Sequence, residues 1–171
     1  VQNAMNTWRD YMVSMGFGYK LGIDLPGEKR GMIPNAQFYD KAYRGSWNGL
    51  TVISIAIGQG EVTATPLQIA NLGATIANRG YFVTPHVVKE IEGETMDSVF
   101  SEKRYTKVDK SHYDEVAQGM RMAVLGGTCR TANMPDIEIC GKTGTAQNHG
   151  KDHSAFMGFA PLNNPKIAVA V

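Results

Sequence analysis

Cysteine is scarce in this chain: Cys129 and Cys140 are the only two among 171 residues. Two cysteines cannot build a disulfide scaffold, and a separation of eleven residues is neither zinc-ribbon nor Cys-x-x-Cys redox spacing. The pair admits two readings, one disulfide or two small buried thiols. An excess of one charge is lacking too. The 17 Lys and Arg stand against 16 Asp and Glu, a net +1, so no field points to nucleic acid or to an anionic membrane surface. No apolar run reaches the roughly 18 residues a spanning helix needs, and the first residues lack a basic-then-apolar leader pattern. With 43% hydrophobic and 19% charged residues and no internal repeat, disordered, collagen-like and coiled-coil classes are excluded. The length fits one domain or a large piece of one.

What is present reads as mixed α and β. Met5, Trp8, Met12 and Met15 recur at helical spacing from the first residues. Residues 166–171 are apolar on both faces, which suits the buried middle of a sheet. These two edges are those expected of a piece cut from a longer protein at both ends. Residues 16–35 are punctuated by Gly and Pro and read as an irregular connection. The β-branched run 51–57 predicts a short extended segment. Thr65-Pro66-Leu67-Gln68 predicts a capped helix that stops at Gly80, with Leu67, Ala70, Ala74 and Ala77 as its buried stripe. Residues 81–107 read as extended or hairpin structure, mostly polar and at the surface, with turns near Glu92-Gly93-Glu94. A further helix is predicted from near Ser111 to Gly126-Gly127, its apolar face formed by Tyr113, Val116, Ala117, Met120, Ala123 and Val124. Three strands at 137–147, 154–160 and 166–171 have connections too short for parallel crossovers, so an antiparallel meander is expected.

The chemistry concentrates in residues 140–147, Cys-Gly-Lys-Thr-Gly-Thr-Ala-Gln. A nucleotide-binding P-loop would need Gly at position 136, where the chain has Asp136, and a flexible loop where Ile137 to Ile139 favour a strand. Alternatively, Lys142, Thr143 and Gly144 match the K-T-G triad of active-site serine enzymes that recognise penicillin. In that setting Lys142, Thr143 and Thr145 would hold a substrate carboxylate from one strand edge. Gly144 would let a substrate backbone lie against the strand, and the Thr145 N–H would face a developing oxyanion. A third reading is a tripeptide met by chance. Elsewhere, Gly16, Gly18 and Gly22 miss the spacing of a dinucleotide fingerprint and follow no strand. His149, Asp152 and His153 cluster, yet no third His or Cys stands at metal-ligand spacing.

Four blocks decide among these readings: 22–28 (Gly-Ile-Asp-Leu-Pro-Gly-Glu); 56–61 (Ala-Ile-Gly-Gln-Gly-Glu) with 63–70; 76–80 (Ile-Ala-Asn-Arg-Gly) with Pro85-His86; and 141–147 with 156–161. In order and spacing the chain resembles the class B penicillin-binding proteins, above all their elongation-type members. The resemblance implies an α+β fold with an antiparallel sheet flanked by helices, here an incomplete part (1–171) of a β-lactamase-like transpeptidase domain. It implies a periplasmic D,D-transpeptidase anchored in the bacterial inner membrane by a segment outside this chain. A serine attacks the D-Ala-D-Ala bond of a peptidoglycan stem peptide, and β-lactams are trapped as acyl-enzymes. Lys142 and Thr145 become catalytic residues, and Thr143, Gly144 and Thr145 bind substrate. The implied partners are stem peptides, β-lactams and the cell-elongation machinery; no cofactor is implied. None of the seven serines begins a Ser-x-x-Lys, and Ser46-Trp47-Asn48 follows the 22–28 block where the family's Ser-x-Asn precedes it. Both motifs are therefore expected upstream of Val1, and the chain alone is expected to be inactive. A different class remains beside this, a non-catalytic domain that senses penicillin or docks a cell-wall partner.

Overall fold

The computed structural model describes residues 1–147 and 150–171. Helix α1 (Gln2–Ser14) buries Met5, and α2 (Ala36–Ala42) buries Tyr39 against it. With Ile55 they form a small cluster ringed by Trp8, Phe38 and Trp47. The sequence pattern predicts no element over 36–42. The signal for α2 is Asn35, whose side chain accepts from the Phe38 N–H at 2.8 Å as an N-cap. The run 51–57 is not extended as expected but holds a 3-10 helix, Ile53–Ile57, closed by Gly58 at φ 73°. Burial of Ile55 in the cluster overrides the β-branched preference.

Helix α3 (Pro66–Ala77) begins with the predicted reciprocal capping box between Thr65 and Gln68. Its buried face is not the expected apolar stripe. Gln68, Asn71, Gly73, Thr75, Ile76 and Ala77 are buried, while Leu67, Ala70 and Ala74 are only partly so. The reason lies in Gln68, whose Nε2 donates to the carbonyls of Tyr19 and Arg30, both at 3.0 Å, tying the irregular 16–35 segment to the helix. Strands β1 (Tyr81–Phe82) and β2 (Arg104–Tyr105) pair antiparallel as the expected hairpin. Phe82 and Thr84 are nevertheless fully buried within this nominally surface region. Helix α4 (His112–Leu125) buries Tyr113, Ala117, Met120 and Val124, whereas Val116 points outward.

The chain closes with β3 (Cys140–Ala146), β4 (His153–Ala160) and β5 (Ile167–Ala170) in the order β3-β4-β5, antiparallel throughout, as the short connections required. Helices α3 and α4 cover one face of this sheet. Ile76, Ala77, Tyr113, Ala117, Met120, Cys140, Phe159 and Leu162 form the main core between them. Both cysteines are buried free thiols, which settles the two readings left open. Contrary to expectation, β5 does not lie in a buried middle: Ile167 and Val169 are exposed and only Ala168 and Ala170 turn toward the helices. No helix among the described residues is long and apolar enough to cross a membrane.

Candidate active site

Residues 141–143 lie inside a regular strand, so the Gly-Lys-Thr sequence forms no phosphate-cradling loop. The 16–22 glycines follow helix α1 and form a turn, not a strand-to-helix fingerprint. Of the clustered polar residues, His149 lies outside the described residues and His153 is an exposed start of β4. Asn48 accepts from the Leu50 N–H at 2.8 Å and so caps a local turn, with Trp47 packed in the small cluster away from the sheet.

The direction of each backbone group along β3 follows from β4. Phe156 and Val171 exchange both backbone hydrogen bonds at 2.9 Å, and the Lys166 N–H donates to Ala160 O at 2.8 Å. In an antiparallel ladder this direction alternates residue by residue. Phe156, Gly158 and Ala160 therefore turn their N–H and C=O toward β5, and Ala155, Met157 and Phe159 turn theirs toward β3. Their register partners Gly144, Lys142 and Cys140 are the paired residues of β3. The N–H and C=O groups of Gly141, Thr143 and Thr145 consequently face the other edge, which no strand among the described residues covers.

Side chains alternate as well. Cys140 and Lys142 leave on the helix-covered face, Thr143 and Thr145 on the opposite one. Cys140 is fully buried there, while Lys142 emerges into solvent two residues along. Lys142 Nζ then bends round to the outward carbonyl of Thr143 and donates to it at 2.7 Å, which brings its charge to the open edge. Thr143 Oγ1 donates to Thr128 Oγ1 at 3.0 Å. Thr128 was not singled out by the sequence; a hydroxyl just beyond a helix end carries no signal of the strand it will meet.

The glycines of β3 differ in what they face. A Cβ at Gly141 would stand 2.5 Å from Phe156 Cε2, so packing within the sheet requires that glycine. A Cβ at Gly144 would meet nothing within 4 Å. Nothing among the described residues needs position 144 bare.

The other signature blocks are scaffold. Glu28 gathers the N–H groups of Leu21 (2.6 Å), Gly22 (3.0 Å) and Ile23 (3.4 Å), closing the 22–28 loop on itself. Asp24 accepts from Val87 and Val88, and the Val88 N–H above all holds its carboxyl below the usual carboxylate range. Tyr39 Oη donates to Glu61 at 2.5 Å; burial, with that carboxylate alongside, pushes the phenol well above its ordinary value. Arg79, in the left-handed region at φ 59°, binds Asp114 at 2.6 Å and the carbonyl of Leu162 at 3.3 Å. It thereby joins the end of α3, the start of α4 and the exit of β4.

The arrangement is a cation, two hydroxyls and outward amides along one strand edge uncovered among the described residues, carried on a scaffold of polar staples. The family model for the penicillin binding protein transpeptidase domain matches residues 2–171. Peptidoglycan D,D-transpeptidase MrdA of Acinetobacter baumannii is 38% identical over 99% of this chain and 28% of its own length. A PBP2 structure from Pseudomonas aeruginosa superposes with a TM-score of 0.85 at 38% identity, over 97% of this chain and 38% of that one. PBP2 in a complex with MreC from Helicobacter pylori gives a TM-score of 0.78 at 26% identity, over 99% of this chain and 33% of that one. The chain thus spans between a quarter and two fifths of these relatives. With the β3 edge lying inside a match that runs almost end to end, the chain belongs to the penicillin-binding protein transpeptidase family.

Proposed function

We propose that these residues form the K-T-G wall of the active site in an elongation-type peptidoglycan D,D-transpeptidase, working at the periplasmic face of the bacterial inner membrane. The observation that carries the reading is the open edge of β3, where Lys142 and the outward amide of Thr145 flank the bare Gly144. A serine hydroxyl attacks the penultimate D-Ala carbonyl of a stem peptide, the bond to the terminal D-Ala breaks, and the departing amine takes up a proton. An amine of a neighbouring stem peptide then attacks the ester and frees the serine. In this scheme Lys142 holds the substrate carboxylate and supports proton movement around the site. The Thr143 and Thr145 hydroxyls donate to that carboxylate, and the Thr145 N–H supports the oxyanion. Gly144 leaves room for the substrate backbone. A β-lactam enters the same cradle and stays as an acyl-enzyme.

The 171 residues contain no Ser-x-x-Lys, so the attacking hydroxyl comes from elsewhere in the whole protein, and this chain alone takes up no penicillin. The complex of a relative with MreC supports a partner in the elongation machinery. Labelling of the full-length protein with a fluorescent penicillin tests the reading. Wild type labels covalently, and Lys142→Gln slows acylation by about 100-fold, the scale of one charge-assisted contact. Absence of labelling in wild type, or a wild-type rate for Lys142→Gln, contradicts it. Labelling without any cross-linking of stem peptides would instead support a penicillin sensor.

A further inference from the structure

We infer that Thr128 is a positioning residue for the substrate-binding edge: its hydroxyl sets the orientation of the Thr143 hydroxyl that receives the substrate carboxylate. The inference rests on the proposed transpeptidase reading and adds to it a residue outside the K-T-G strand. Thr128 sits at the tip of the turn that ends α4, and that turn is rigidly tied down. The N–H groups of Gly127 and Cys129, on either side of it, both donate to Ala123 O, at 3.1 and 3.0 Å. Cys129 is 1% exposed, plugged into the interior. Gly127 has no room for a side chain, since a Cβ there would lie 2.9 Å from both Ala123 Cα and Ala123 O. The tip is therefore pressed onto the helix end, and it offers the sheet the Thr128 hydroxyl, 3.0 Å from Thr143 Oγ1.

The direction of that bond carries the chemistry. A hydroxyl has one proton to give and two lone pairs. Here Thr143 gives its proton to Thr128, so it has none for an incoming anion. A carboxylate only accepts. On its arrival the Thr143 O–H turns to the carboxylate, and the Thr128 O–H reverses to donate to Thr143 Oγ1. The resulting chain, Thr128 O–H to Thr143 O–H to carboxylate, polarises each donor in the same sense. The Lys142 ammonium, also at this edge, donates to the Thr143 carbonyl and leaves the Thr143 hydroxyl to Thr128.

The test is the second-order acylation rate of the full-length protein with benzylpenicillin and with its carboxyl methyl ester. Thr128→Val keeps the shape and removes the hydroxyl; it is expected to slow acylation by the free acid roughly fivefold to tenfold, the scale of one hydrogen bond. Thr128→Ser is expected to stay within about twofold of wild type, because it keeps both donor and acceptor. With the ester, Thr128→Val and wild type are expected to react alike. In a Thr143→Val background, Thr128→Val is expected to add nothing, as required of a residue acting through another. Thr128→Ala serves as a second truncation should the valine variant fold poorly. Equal rates for wild type and the truncations on the free acid, additive losses in the double variant, or a loss that Ser fails to rescue overturn the inference. Failure of wild type to be acylated at all overturns the transpeptidase reading instead, so the two failures are distinguishable.

Discussion

Gly144 and Gly158 sit on adjacent strands under opposite constraints. At Gly158 an added Cβ would approach Cys140 O and Phe156 Cζ, each at 2.8 Å, so Gly158→Ala must push the β3–β4 ladder apart or displace the ring. We predict a destabilisation of about 1–3 kcal/mol in the denaturation midpoint of the full-length protein. Gly144→Ala places its methyl group in open space, and removing strand glycine entropy leaves stability unchanged or raised by about 0.5 kcal/mol. Its penalty is expected in acylation rate alone, since the methyl group occupies the line a substrate backbone would follow. A Gly144→Ala variant that loses stability as Gly158→Ala does would place its constraint in the fold. Cys140, two residues before Lys142, is a third case at this scale. Burial foremost pushes its thiol above the ordinary range, with Arg121 and Arg79 acting against that shift. Native protein at neutral pH should therefore leave Cys140 unalkylated by iodoacetamide until it is unfolded, as read by peptide mass mapping.

Polar staples join the elements that the two apolar clusters pack together. Gln68 accepts from Thr65 N and donates to two carbonyls from the 16–35 segment. Gln68→Ala takes away the buried amide that both carbonyls bind and is predicted to cost about 3 kcal/mol, against about 1 kcal/mol for Thr65→Ala, which removes only a cap. Chemical denaturation of the two variants checks the ratio. Asp24 docks the 22–28 loop on Val87 and Val88, and its carboxyl is held below its ordinary value. A carboxyl depressed in the folded state stabilises above its unfolded pKa, and that contribution is lost as pH falls through the folded value. Asp24→Asn should thus lower the denaturation midpoint at neutral pH and flatten its decline below about pH 4. An unchanged acid limb would show that this contact holds nothing.

Legibility in the sequence followed the same division. The capping box of α3, the amphipathic α4 and the antiparallel order of β3, β4 and β5 were readable, because local pattern and loop length dictate them. The buried polar face of α3 was not, since Gln68 is inside for partners roughly forty to fifty residues away. The 3-10 segment at Ile53–Ile57 was hidden for a related reason: one buried isoleucine decided a run whose propensity pointed elsewhere. At the site, the residue types of the triad were readable, but not that Lys142 and the threonines leave on opposite faces and meet only at the edge. Nor was Thr128, which comes to Thr143 by tertiary placement alone.

At the scale of the molecule, two clusters divide the labour. The smaller one, around Met5, Tyr39 and Ile55, anchors the first half of the chain, and the larger one fixes α3 and α4 against one face of the sheet. That packing immobilises β3 from behind and leaves its outer edge open, so the strand is both rigid and reachable. The proposed function requires this edge to hold a peptide carboxylate and an attacked carbonyl. The most direct measurement is a crystal structure of the full-length protein acylated by a penicillin. The acyl carbonyl oxygen is expected about 3 Å from the Thr145 backbone nitrogen, with the antibiotic carboxylate on the hydroxyls of Thr143 and Thr145 and near Lys142 Nζ. An acyl group bound with its carbonyl turned away from Thr145 and its carboxylate off this strand would contradict the proposed function.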